Sequence, residues 1–278
     1  MSGLPKLPFR GQAPDRQNDV MQQYAWYDSA VWKKDLDDPD SCWPSFLDEL
    51  EVKSRKDGRG WRKVSRRNVF DFAKTVGSTE GAVQLLVASM VWGIGTSAQS
   101  RRRHLKVLSP FVKDGELDKL GKTLLDAIGQ ARKVSPVAAY AVLHGKEPGE
   151  GSLKVDYLGP SYGTKLLYFA TFEKHSAKLP ALILDRRVAT ALTWLTGTPW
   201  AEHGWSSATY EAYLRTCVKW AEVWKTEPDG VEPTGSRTAR TWRRSGRPRC
   251  TSPSRSGFSS SSFSWRTPVS PSSSGAKR

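Results

Sequence analysis

Cysteine is scarce in this 278-residue chain: Cys42, Cys217 and Cys250 are the only three. They lie far apart, no pair has the spacing of metal ligands, and three cannot close a full disulfide set. A disulfide scaffold and a cysteine-built metal site are therefore excluded, and a reducing compartment fits. No run of eighteen apolar residues occurs, and the N-terminus lacks the apolar core of a secretory leader. Neither secretion nor a membrane span is expected, and a cytoplasmic location follows. Strict apolar–polar alternation is missing as well, so half-buried strands are not expected and the fold reads as all-α.

Acid is absent from Thr234 to Arg278, where ten of the Lys and Arg residues fall. The formal charge is +15 for the whole chain, which leaves +5 for residues 1–233. The body is mildly basic, which is compatible with DNA but does not identify it. The last residues are Arg, Ser, Pro, Gly and Thr, with too little apolar surface to offset the entropy of ordering. Residues 231–278 are thus expected to be a disordered tail. Its composition fits a frameshifted C-terminus better than a native nucleic-acid-binding tail. Residues 1–23 read as a mobile N-terminal arm, and residues 24–230 as one helical domain. Tryptophan is abundant, at twelve, and argues for a real core.

Aromatics gather in Tyr24-Ala25-Trp26-Tyr27 and again at Trp32, Trp43 and Phe46, as an irregular segment packed on that core. Lys53 to Arg67 is a basic run suited to a loop or to phosphates. Helical periodicity then covers Arg67 to Val76, and a helix apolar on several faces, capped by Ser78 or Thr79, covers Ala82 to Trp92 and should be central. Gly93 and Gly95 break it. Arg101-Arg102-Arg103-His104 begins a further apolar-periodic helix that extends to Val112. His104 has no acid or thiol close in sequence and reads as an ordinary polar residue. Glu116 to Ala131 is amphipathic, and Ser135-Pro136 is a cap and first-turn pair. Gly145 to Gly151 reads as a link and Lys174 to Pro180 as a polar connection. Helices are also expected after Asp185, ending at Gly197, and after Ser206 or Ser207.

The chemistry-bearing stretch is Leu158-Gly159-Pro160-Ser161-Tyr162-Gly163-Thr164-Lys165, followed by the apolar run Leu166 to Ala170. Glycines and a proline allow a tight turn, and the helix is expected to start near Gly163 or Thr164. With a short helical turn over Ser152 to Tyr157, this is a helix, a glycine hairpin and a helix. The free N–H groups at such a start suit a phosphate. Lys165, placed in the first turn, meets the positive end of the helix dipole, which favours the neutral, nucleophilic amine. Twenty positions on, Asp185 follows three aliphatic residues and opens a new helix.

Gly163-Thr164-Lys165, an apolar helix and then Asp185 resemble the helix-hairpin-helix DNA glycosylase superfamily, and more closely bacterial 8-oxoguanine glycosylase-like proteins of the OGG fold. The resemblance is specific over about Tyr157 to Gly197 and looser back to about Trp61. The usual hairpin there is Leu-Pro-Gly-X-Gly-Thr-Lys, and this one is a residue longer. The resemblance implies two helical lobes with a cleft, and a nucleotide extruded from duplex DNA bearing a damaged or modified base. It implies Lys165 as nucleophile at the sugar C1′, Asp185 as stabilising carboxylate, and strand nicking by β-elimination. Gly159, Ser161, Tyr162, Gly163 and Thr164 would hold a DNA phosphate. Ile94, Thr96, Ser97 and Gln99 would enter the DNA, and Arg101, Arg102, Arg186 and Arg187 would contact its backbone. No metal or other cofactor is expected, the chain lacks the four cysteines of the iron–sulfur loop of some relatives, and a bacterial, nucleoid-associated monomer is the default. Two other readings stay open: a helix-hairpin-helix that only binds DNA, and a glycosylase that excises modified phage bases.

Overall fold

The computed structural model describes residues 14–54, 60–144, 155–174 and 179–231. Parts of the expected mobile arm, the basic run, the Gly145–Gly151 link, the Ser152–Tyr157 turn, the Lys174–Pro180 connection and the tail lie outside these residues. Three strands lie in the first part of the chain, among short helical turns: β1 (Tyr24–Tyr27), β2 (Val52–Ser54) and β3 (Gly60–Ser65). The helices of eight residues or more among the described residues are α1 (Arg66–Thr75), α2 (Thr79–Ile94), α3 (Ala98–Leu105), α4 (Leu117–Lys133), α5 (Pro136–His144), α6 (Pro160–Thr171), α7 (Arg186–Thr196) and α8 (Ser207–Trp224).

The fold is mostly helical, but the all-α expectation needs one correction. The strands form an antiparallel sheet in the order β1-β3-β2, with Tyr24 opposite Ser65 and Val52 opposite Arg62. They escape a period-two reading for a physical reason. β1 and β2 are only four and three residues long, and in β3 the buried positions are Trp61 and Val64, three apart. The aromatic segment at Tyr24 is therefore a strand, and Tyr27, Trp32 and Trp43 are core residues.

Helix starts follow the capping residues. Ser78 accepts from the Gly81 N–H and opens α2, Ser65 and Asn68 form a capping box on α1, and Ser206 caps α8. α2 is buried from Ala82 to Val91 except at Gln84, and it packs against α1, α4, α6 and β1. Its expected central place is what the fold shows. The helix expected over Arg101 to Val112 is instead two pieces, α3 and a turn at Ser109–Lys113. Pro110 has no N–H to continue α3, so the break is covalent in origin.

One apolar cluster includes Met21 near one end of the described chain and Val231 at the other. The arm expected to be mobile over residues 1–23 is packed from Pro14 on: Arg16–Val20 is a helical turn, and Val20 and Met21 are buried. A polar network then ties both ends to α6. Arg16 Nε donates to Asp229 at 3.0 Å, Tyr168 Oη donates to the same carboxylate at 3.0 Å, and Arg66 Nη1 donates to Tyr168 Oη at 2.8 Å. Arg66 and the Asp229 side chain are fully buried.

Candidate active site

α6 begins earlier than its glycines suggest. Gly159 is the N-cap, with extended backbone, and Pro160 takes the first helical position. Gly163 therefore lies inside the helix, not in a hairpin. Its missing side chain serves packing: a Cβ there would come within 2.3 Å of His144 Nε2 on α5. The N–H groups of Tyr162 and Gly163 are already bonded to the Gly159 carbonyl, at 3.0 and 3.2 Å. The expected phosphate cradle is thus corrected. Gly163 and Thr164 are buried and face protein, the largely buried Tyr162 ring stands beside Lys165 and His104, and only Gly159 and Ser161 of that set retain more than slight access. Tyr157 precedes them, exposed, at φ 64°.

Thr164 has a different task. Its Oγ1 donates to the Leu184 carbonyl at 3.2 Å and accepts from the Leu184 N–H at 3.1 Å. Tyr210 and Tyr213 of α8 donate to the carbonyls of Leu182 and Ile183 at 2.9 and 2.7 Å. The segment before Asp185 is pinned from both sides, and the carboxylate is delivered to α6. Asp185 then uses its two oxygens separately. Oδ1 caps α7, accepting from the N–H groups of Arg187 and Val188 at 3.0 and 3.1 Å. Oδ2 accepts from Lys165 Nζ at 2.9 Å. Cap and ion pair coexist on one side chain.

Lys165 sits in the second turn of α6 rather than the first, so the dipole bears on it less than expected. It is only 4% exposed. Besides Asp185, Nζ lies 3.5 Å from the Ser161 carbonyl and 5.2 Å from the centroid of the Tyr162 ring. Gly93, near the end of α2, is itself exposed and leaves room for the lysine. A Cβ there would stand 3.0 Å from Lys165 Cε and 3.2 Å from Tyr162 Cε1. Burial alone would push the Asp185 carboxyl up. The Lys165 charge and hydrogen bond, with the two backbone N–H groups, outweigh it and hold the carboxyl below its ordinary value.

The remaining sequence candidates divide. Ile94 is the last residue of α2 and packs against the core, and Ser97 is spent capping α3. Thr96 and Gln99 are exposed beside it. Gly95, at φ 61°, fits where a Cβ would meet the Trp26 carbonyl at 2.9 Å. Arg101 is not a backbone contact. It is 4% exposed, pairs with Asp35 at 2.6 Å and lies over the Trp32 ring. Arg187 is exposed, Arg102 is exposed with its Nε 3.6 Å from Asp35, and Arg186 is exposed but paired with Glu202 at 2.6 Å. Among the described residues, no group of three or more His, Cys, Asp or Glu gathers that could hold a metal ion.

Two site residues escape a reading along the chain. Gly93 looks like a mere helix breaker, and His104 looks ordinary because its neighbours are distant in sequence. In the fold, the His104 ring stands edge-on to Tyr162 with centroids 4.3 Å apart. Burial, then the charges of Arg103 and Lys165, push its imidazole down to about 4. The site therefore combines a shielded amine, an ionised carboxylate in contact with it, and an aromatic wall with an uncharged imidazole.

Comparison with known proteins adds one match. The model of the OGG family, described as "Putative 8-oxoguanine DNA glycosylase OGG-like protein", matches residues 18–234. No curated protein and no solved structure match the chain.

Proposed function

The chain belongs to this OGG-like glycosylase family, and from that premise we propose that it is a DNA glycosylase with Lys165 as nucleophile and Asp185 as stabilising carboxylate. The observation that carries the reading is the 2.9 Å contact between Lys165 Nζ and Asp185 Oδ2, made by residues twenty positions apart and largely shielded from water. A lysine kept only to touch a phosphate would stand exposed, as Arg102 does.

The chemistry follows from the groups present. A base stacked in a duplex is out of reach, so the nucleotide is extruded. As the bond from C1′ to the base breaks, its electron pair leaves with the base, which then takes up a proton. Positive charge grows on the sugar, and the Asp185 carboxylate, fixed by its two N–H donors, stabilises it. Lys165 Nζ passes that proton to the departing base, and the lone pair so freed forms the N–C1′ bond. Ring opening gives a Schiff base, and loss of the C2′ proton expels the 3′ phosphate and nicks the strand. 8-Oxoguanine is the first substrate to test.

Borohydride trapping on lesion-bearing and abasic duplexes tests the assignment. The parent chain is expected to give a covalent adduct and Lys165→Gln none. An adduct that persists in Lys165→Gln overturns the nucleophile. Asp185→Asn is expected to slow base removal while DNA binding persists.

A further inference from the structure

Lys165 reaches a sugar carbon only if the nucleotide lies against whatever surrounds Nζ. An amine poised for attack sits about 3–3.5 Å from its carbon, and the base hangs from that same carbon. Groups packed around the amine are therefore within reach of the base. On one side Nζ meets Asp185 Oδ2 and the Ser161 carbonyl, a polar side suited to a sugar gaining positive charge. On another it faces the Tyr162 ring, with His104 edge-on to that ring. Gly93 adds only backbone and is exposed. The aromatic side suits a flat base. Burial first, then Arg103 on its own helix and Lys165 from α6, disfavours a charge on His104. The imidazole thus offers one donor and one acceptor without the cost of a buried cation.

We propose that His104, on the wall it forms with Tyr162, is a specificity-determining residue that contacts the extruded base beside Lys165. The inference rests on the glycosylase reading and deepens it. An abasic duplex separates the two, because it keeps the sugar and has no base to contact.

The test uses the full chain with His104→Phe, which keeps a ring, and His104→Gln, which keeps a hydrogen-bonding group. Single-turnover excision and Kd are measured on duplexes carrying 8-oxoguanine, guanine, 8-oxoadenine or uracil, and borohydride trapping on an abasic duplex. His104→Phe is expected to change the ratios among bases about tenfold, with abasic trapping within about twofold of the parent, and His104→Gln to restore part of the parent ratio. Unchanged ratios in both excision and Kd overturn the proposal. So does abasic trapping that falls in step with excision, since His104 would then act through Lys165. A parent chain that excises no base and traps nothing on the abasic duplex overturns the glycosylase reading instead.

Discussion

Asp185 shows how much one side chain can carry when its two oxygens are used for different ends. Folding holds its carboxyl below the ordinary value of 3.8, so the folded state favours the ionised form. The stability this contributes is complete above about pH 4 and is lost as pH falls through the folded value. The Tm difference between the parent and Asp185→Asn should therefore be constant at neutral pH and shrink below pH 4. His104 has the same sign of linkage in a higher pH window, although here folding disfavours the charged form. Its folded value of about 4 lies below the ordinary 6.5, so the unfolded chain binds the extra proton between those limits. The parent should lose stability as pH falls from 6.5 towards 4, and His104→Gln should lose less over that window. Urea titrations at several pH values check both. Gly93 predicts a separation of activity from stability. Gly93→Ala sets a methyl against the Lys165 stem and the Tyr162 ring, where the lysine can shift. Its Tm should stay near the parent's, and its trapping rate should fall about tenfold, because a displacement near 1 Å costs more than that in an aligned reaction. An unchanged rate would show that the lysine has slack.

At the scale of elements, the chain announced its helices well and its glycines badly. Ser65, Ser78, Ser135, Asp185 and Ser206 each open a helix where a polar cap precedes an apolar period, because capping is local chemistry. The Lys165–Asp185 pairing could be expected from a motif whose spacing suits one helix, a pinned connection and the next cap. Gly159-Pro160 also carried a true helix start, but Gly163 competed with it as a turn signal. What decides between them is His144, nineteen residues away and on another helix, and no local pattern contains that. The same holds for the strands, whose pairing partners lie outside any short window, and for His104, whose neighbours come from α6. A paired substitution tests the assignment of the two glycines. Gly163→Ala should destabilise the chain by about 1–3 kcal/mol, the usual range for overpacking. Gly159→Ala, which meets nothing within 4 Å, should cost under about 1 kcal/mol as a weaker cap. Denaturant unfolding of the two variants measures the gap, and equal costs would return Gly163 to a surface turn.

Across the whole molecule, the arrangement that matters is the link from Arg16 through Asp229 to Tyr168 and Arg66. Breaking one partner of a buried charge pair costs about 3–5 kcal/mol. Asp229 is fully buried, with Arg16 partly exposed, so Asp229→Ala should fall near the lower end, about 3 kcal/mol by denaturant unfolding. Tyr168 lies one turn beyond Lys165 on α6, so that variant should also lower the trapping rate. The order in which the polypeptide is made gives the link a further meaning. Arg16 leaves the ribosome before Lys165 and Asp185, and Asp229 after both. A nascent chain stalled before that aspartate has Lys165 and Asp185 but no anion to join Arg16 to the Tyr168 hydroxyl. The brace on α6 is then completed only once Asp229 has emerged, and a product truncated before it would carry Lys165 and Asp185 without that brace.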